Sequence, residues 1–142
     1  MFGKKEVRPQ KRIDGLIPTG TVIRGDIVFG GGLRIDGNVE GSIATHNGDA
    51  GTLVVSEQAE VDGEIKVSHV VVNGTVRGPI IAEDYLELQG KARVIGDVTY
   101  RKLEMQLGAV VQGRLCHNEP GVAAVVELKR ASGEPVATGA TR

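Results

Sequence analysis

His46, His69, His117 and Cys116 are the side chains of this sequence best suited to metal binding or nucleophilic chemistry. Three imidazoles gathered on one surface can hold zinc, but their intervals here match no zinc motif, so they read as loop, corner and terminal residues. Cys116 beside His117 sets a thiol next to a base. Adjacent residues of a strand point to opposite faces, so the spacing predicts a buried or tail thiol and not a nucleophile. Gly30-Gly31-Gly32 lacks the Lys-Ser/Thr of a phosphate-binding loop and reads as a chain corner. The acids Asp26, Asp36, Glu40, Glu60, Asp62 and Glu64 read as a solvated face. The sequence therefore predicts no catalytic residue, no metal ligand and no cofactor.

The elements that must carry these residues follow a period of two. From Thr21, every second residue gives Ile23, Gly25, Ile27, Phe29, Gly31, Leu33, Ile35, Gly37, Val39, Gly41 and Ile43, with Arg24, Asp26, Arg34, Asp36, Asn38, Glu40 and Ser42 between them. This is a strand period, sustained far beyond one strand. It resumes after a polar interruption from Thr45 to Gly51, and shifts by one residue across Ser68-His69 and again across Arg101-Lys102. Inside it lies a repeat of apolar, any, Gly, any, apolar, centred on Gly25, Gly41, Gly63, Gly78, Gly96 and Gly113. The alternation runs through these glycines instead of reversing at them, which favours shallow corners over hairpins. The predicted fold is all-β: one right-handed, three-sided β-helix of about six coils stacked at roughly 4.8 Å. Left-handed winding of the hexapeptide acyltransferase kind is the competitor, but its strict six-residue period is not kept.

Composition narrows the function. The chain has 142 residues and a formal net charge of −1, which argues against a strongly basic nucleic-acid binder, so no nucleic acid is expected as a partner. Aromatics make up only 3%, as suits a narrow lumen filled by Val, Ile and Leu. One cysteine fits a reducing, cytoplasmic compartment. No apolar run approaches the ~20 residues of a membrane span, and neither a secretory signal nor a myristoylation site is read at the start.

Three segments are expected: a basic tail over 1–12, the β-helix over 13–117, and a disordered tail over 118–142. The tail at 1–12 has five basic residues against one acid. It reads either as a plain solvated leader or as a membrane-targeting peptide, with Met1 and Phe2 entering the interfacial layer and Lys4 and Lys5 facing anionic headgroups. Neither flank of the solenoid reads as a cap. Uncovered coils leave strand edges and lumen exposed, so Ile17, Ile23 and Phe29 at one end and Leu103, Met105, Leu107 and Leu115 at the other are predicted to form polymer interfaces.

Val39-Glu40-Gly41-Ser42-Ile43, Val61-Asp62-Gly63-Glu64-Ile65 and Val76-Arg77-Gly78-Pro79-Ile80, behind a proline-bearing basic leader, make the chain resemble the bactofilins over about residues 13–117. The resemblance implies nucleotide-independent polymerisation into bacterial cytoskeletal filaments. It also implies self-association as the main partnership, attachment to the inner face of the cytoplasmic membrane, and roles in cell shape or in placing cell-wall synthesis or hydrolysis enzymes. The alternative is a trimeric β-helix enzyme of the carbonic anhydrase or hexapeptide acyltransferase type, with zinc or a coenzyme A cleft between subunits.

Overall fold

The computed structural model describes residues 13–118, which wind into fifteen short strands, all of whose pairings are parallel. Three strand segments make each coil. The first coil holds β1 (Gly15–Ile17), β2 (Val22–Arg24) and β3 (Ile27–Phe29), and the second holds β4 (Gly31–Ile35), β5 (Asn38–Glu40) and β6 (Ile43–Thr45). The third comprises β7 (Gly51–Val55), β8 (Glu60–Asp62) and the start of β9 (Ile65–Val72). The fourth runs from the end of β9 through β10 (Thr75–Arg77) into β11 (Ile80–Leu88). The fifth runs from β11 through β12 (Arg93–Ile95) into β13 (Val98–Met105), and the sixth ends with β14 (Val110–Gln112) and β15 (Leu115–His117).

Stacking produces three faces. One is the sheet β2-β5-β8-β10-β12-β14. A second begins with β3 and β6 and ends with β15, and a third begins with β1, β4 and β7. β9, β11 and β13 each bend around the edge between these last two, which joins them into one nine-stranded sheet. The alternation dictates what lies inside: Ile35, Ile43, Leu53, Val61, Ile65, Val70, Val76, Ile80, Leu86, Leu88, Val94 and Val98 are wholly buried. Each such side chain stabilises the rod by ~1.5–3 kcal/mol relative to exposure. No aromatic ring is among the buried core residues; Phe29 and Tyr100 pack partly buried against it towards the two ends.

The repeat glycines stack at one edge. Gly25, Gly41, Gly63, Gly78 and Gly96 have φ from 140° to 157°. A Cβ at Gly41, Gly63, Gly78, Gly96 or Gly113 would strike the carbonyl oxygen of the repeat glycine one coil earlier. Glycine here permits both the dihedral and the close approach of neighbouring coils. Beside it, the Asp26 carboxylate accepts the Ser42 N–H at 3.0 Å and the Asp97 carboxylate accepts that of Arg114 at 3.1 Å, tying coil to coil.

A second edge carries four-residue turns at Pro18 to Thr21, Ser56 to Ala59, Gln89 to Ala92 and Gln106 to Ala109, with tighter bends at Gly37 and Gly74. Here Asp36, Ser56, Asn73, Gln89 and Gln106 each donate a backbone N–H to the coil before, reaching Ile17, Ile35, Val55, Val72 and Leu88. In the first coil the corresponding place, one residue past Ile17, is taken by Pro18, which has no N–H.

The shifts of phase fall at the third edge. The polar insert is a 3-10 turn over His46–Gly48 with Asn47 at φ 52°. It is shorter than the sequence indicated, because Thr45 and Gly51 are buried ends of β6 and β7. Ser68 and Arg101 occupy the same edge in later coils, and Glu83 and Asp84 add one residue to it in β11.

Candidate functional site

The chemistry-bearing residues do not converge. His46 lies in the 3-10 turn, His69 just after the bend of β9, and His117 at the end of β15, where its ring is 5.7 Å from that of Tyr100. Among the described residues, no group of three or more His, Cys, Asp or Glu is placed to hold a metal. Ser68 is next to His69, with its Oγ 3.1 Å from Nδ1. Yet Ser68 is only 4% exposed, and its hydroxyl bonds both the N–H and the carbonyl of Gly51. It closes a corner instead of presenting a nucleophile. The Tyr85 hydroxyl donates to Glu104 at 2.7 Å, and this bond, with burial and the nearby Glu87 carboxylate, pushes its pKa well above the usual phenol range. It stays a hydrogen-bond donor.

Cys116 corrects the expectation of a buried or tail thiol: it is the outward centre of three-residue β15 and is exposed. The acids are not a bare solvated face either. Glu40 pairs with Arg24 at 3.1 Å, Asp62 and Glu60 with Arg77 at 2.9 and 3.5 Å, and Asp36 with Arg34 at 3.1 Å. Such exposed pairs contribute ~0–1 kcal/mol each, but in rows they keep the rod polar.

The terminal coils are where unusual surface collects. Among the described residues, seven of the eight exposed large apolar side chains, all but Ile95, lie in or beside the first or last coil. Among the described residues, β1, β2 and β3 pair only with the second coil, and β14, β15 and the second half of β13 only with the fifth. At the carboxy-terminal end Leu107 tips the Gln106–Ala109 turn at 99% exposure, while Met105 and Leu115 are 43% and 45% exposed. Leu103 is half-buried against the core beside them. At the other end Ile23 and Phe29 are half-buried, whereas Ile17 is buried. The first coil also turns Leu16, Val22 and Val28 outward, on three different faces. Val22 and Val28 carried a legible signal in being apolar at the outward phase, although Val110 and Ile81 are apolar at the same register positions in later coils.

Among the described residues, fold and surface together define a parallel β-solenoid whose exposed apolar side chains gather on its terminal coils. Residues 15–116 match the family model of the bactofilins, described as polymer-forming cytoskeletal. The chain belongs to the bactofilin family. It is 31% identical to bactofilin BacO of Myxococcus xanthus over 100 residues, covering 70% of this chain and 76% of BacO. With bactofilin BacP of the same organism it shares 27% identity over 116 residues, 81% of this chain and 47% of that protein, so it aligns with about half of BacP. No solved structure matches.

Proposed function

We propose that the chain is a bacterial cytoskeletal subunit that polymerises end to end, without nucleotide, into filaments at the inner face of the cytoplasmic membrane. There it acts as a scaffold for cell shape or for the placement of cell-wall synthesis or hydrolysis enzymes. The observation that carries this reading is the concentration of exposed apolar side chains on two terminal coils whose strands, among the described residues, pair on one side only. Stacking a second copy on either coil removes Leu115, Met105 or Phe29 from water and offers partners to the edge strands. Membership of a polymer-forming family supports the same end.

The interface residues are Ile17, Ile23, Phe29, Leu103, Met105, Leu107 and Leu115, of which Leu107 has the most surface to lose. Membrane attachment rests on Met1, Phe2, Lys4 and Lys5, which lie outside the described residues, as do the proposed tail at 1–12 and all but Asn118 of that at 118–142. Among the described residues no helix is long and apolar enough to cross a membrane. Purified protein without nucleotide should pellet on ultracentrifugation and show long polymers by negative-stain electron microscopy; a compact monomer at all concentrations overturns the reading.

A further inference from the structure

Asparagine followed by glycine occurs twice in the chain, at Asn47-Gly48 and at Asn73-Gly74. The pair is chemically labile: glycine has no Cβ to keep its backbone nitrogen away from the asparagine amide carbon, and asparagine is among the thermolabile residues. By sequence alone the two sites are equivalent. The structure separates them.

Asn73-Gly74 is held between coils. The Asn73 N–H donates to the Val55 carbonyl at 2.7 Å, and its Oδ1 accepts the Lys91 N–H at 2.9 Å. Gly74 is buried, its carbonyl accepts the Arg93 N–H, and a Cβ there would strike the Ser56 carbonyl oxygen. Asn47-Gly48 stands clear of the rod. Both residues are exposed in the 3-10 turn between β6 and β7, and nothing lies within 4 Å of the Cβ position of Gly48. Asn47 is the one non-glycine residue of positive φ among the described residues, at φ 52° and ψ 25°, a conformation that asparagine tolerates better than most. Attack by the Gly48 nitrogen requires ψ of Asn47 to swing well away from 25°. That takes only local opening of a turn closed by the Asp49 N–H on the His46 carbonyl at 2.9 Å, with Thr45 and Gly51 left in place as buried strand ends.

We infer that Asn47 is a site of spontaneous modification, deamidation through a cyclic imide, and that Asn73 is protected from it. The Gly48 nitrogen bonds to Cγ of Asn47 and gives up its proton. The Cγ–Nδ2 bond breaks, and Nδ2 leaves with that proton as ammonia. Water then opens the five-membered ring: attack at Cγ gives aspartate, and attack at the backbone carbonyl carbon gives isoaspartate, in which the chain runs through Cβ and Cγ. Either product adds one negative charge beside Asp49 to a chain of formal net charge −1. The turn joins the second and third coils, away from both terminal coils, so a subunit acquires a mark of its age without change at either end of the rod.

Asp-Gly pairs follow the same route more slowly, losing water in place of ammonia, and occur at Asp14, Asp36 and Asp62. Each is tied to a neighbouring coil. The Asp14 carboxylate accepts the Gly32 N–H, and the Gly37 and Gly63 N–H groups donate to the Ile17 and Arg77 carbonyls.

The test ages the full chain in warm, mildly alkaline buffer made with heavy-oxygen water and maps its peptides by mass spectrometry. Asn47 should exchange its amide for a heavy-oxygen carboxylate at least about tenfold faster than Asn73, whose reaction waits on opening of the coils. In urea the two should react at similar rates, since each is then an Asn-Gly pair in an open chain. Isoaspartate is scored by methyl transfer from S-adenosylmethionine with an isoaspartyl methyltransferase as the probe. Asn47→Gln, whose longer side chain would have to close a six-membered ring, should take up little of that label. Equal amide loss at both sites in the folded protein overturns the inference, as does an Asn47 amide that lasts as long as that of Asn73. An Asn73 that lags equally in urea also overturns it, by placing the protection in the neighbouring sequence and not in the fold. Methyl labelling of Asn47→Gln at the parental level would assign the isoaspartate to an Asp-Gly pair and remove Asn47 as the site.

Discussion

At the residue scale, the stacked glycines and the acid beside them govern how tightly coils close. Gly63→Ala places a methyl group against the Gly41 carbonyl at a φ of 152°, so it should lower unfolding stability by at least ~2 kcal/mol in urea melts. Gly30→Ala is the control: nothing lies within 4 Å of its Cβ position, and the change should stay within about 0.5 kcal/mol. Asp26 gives a pH signature. The Ser42 backbone N–H and hydroxyl hold its carboxyl below the usual carboxylate range. A depressed folded-state value stabilises the corner fully above the ordinary carboxylate pKa and loses that contribution as pH falls through the folded value. Protection of the Ser42 amide, measured relative to its intrinsic exchange rate, should fall on acidification below about pH 4, and Asp26→Asn should flatten that dependence.

At the element scale, Leu107 and Leu115 separate folding from assembly. Leu107 is almost wholly exposed at a turn, so Leu107→Arg should leave the circular dichroism spectrum and melting temperature of the rod near those of the parent while abolishing pelleting. Leu115 points along the inward phase of β15, so Leu115→Arg should lower pelleting and melting temperature together. Pelleting of Leu107→Arg at the parental level would remove Leu107 from the junction.

The strand scale is also where the sequence was most legible. The apolar residues of the inward phase from Ile23 to Ile43, and from Val70 to Val98 on either side of the Glu83-Asp84 corner, all face or line the core, because a lumen a few ångströms wide admits no error of phase. The corner at Glu83-Asp84 was hidden. It spaces Ala82 four residues from Leu86, preserving parity, whereas the corners at Ser68 and Arg101 space their inward neighbours three apart and show as shifts. Cys116 was misread although the repeat centred on Gly113 puts Leu115 inward and so Cys116 outward; the strand's place in the last described coil was not weighed.

At the scale of the whole molecule, the line of outward residues on the β3 face, with Lys66 its one charge, was not legible. Val28, Ala44, Lys66, Ile81, Thr99 and Cys116 are separated by unequal steps along the chain, and only coil stacking lines them up. Removal of Met1 to Lys5 should release polymers from anionic liposomes while leaving their length unchanged, because that segment precedes the rod. Undiminished liposome pelleting would assign membrane contact to the rod itself.

Pro18 deprives the amino-terminal edge of a donor that each of the five coils behind it uses. A seam formed there is one backbone bond poorer than the seams within a subunit, a difference of ~1 kcal/mol. On the end-to-end reading proposed above, a junction made at that edge would part before any winding of the rod does.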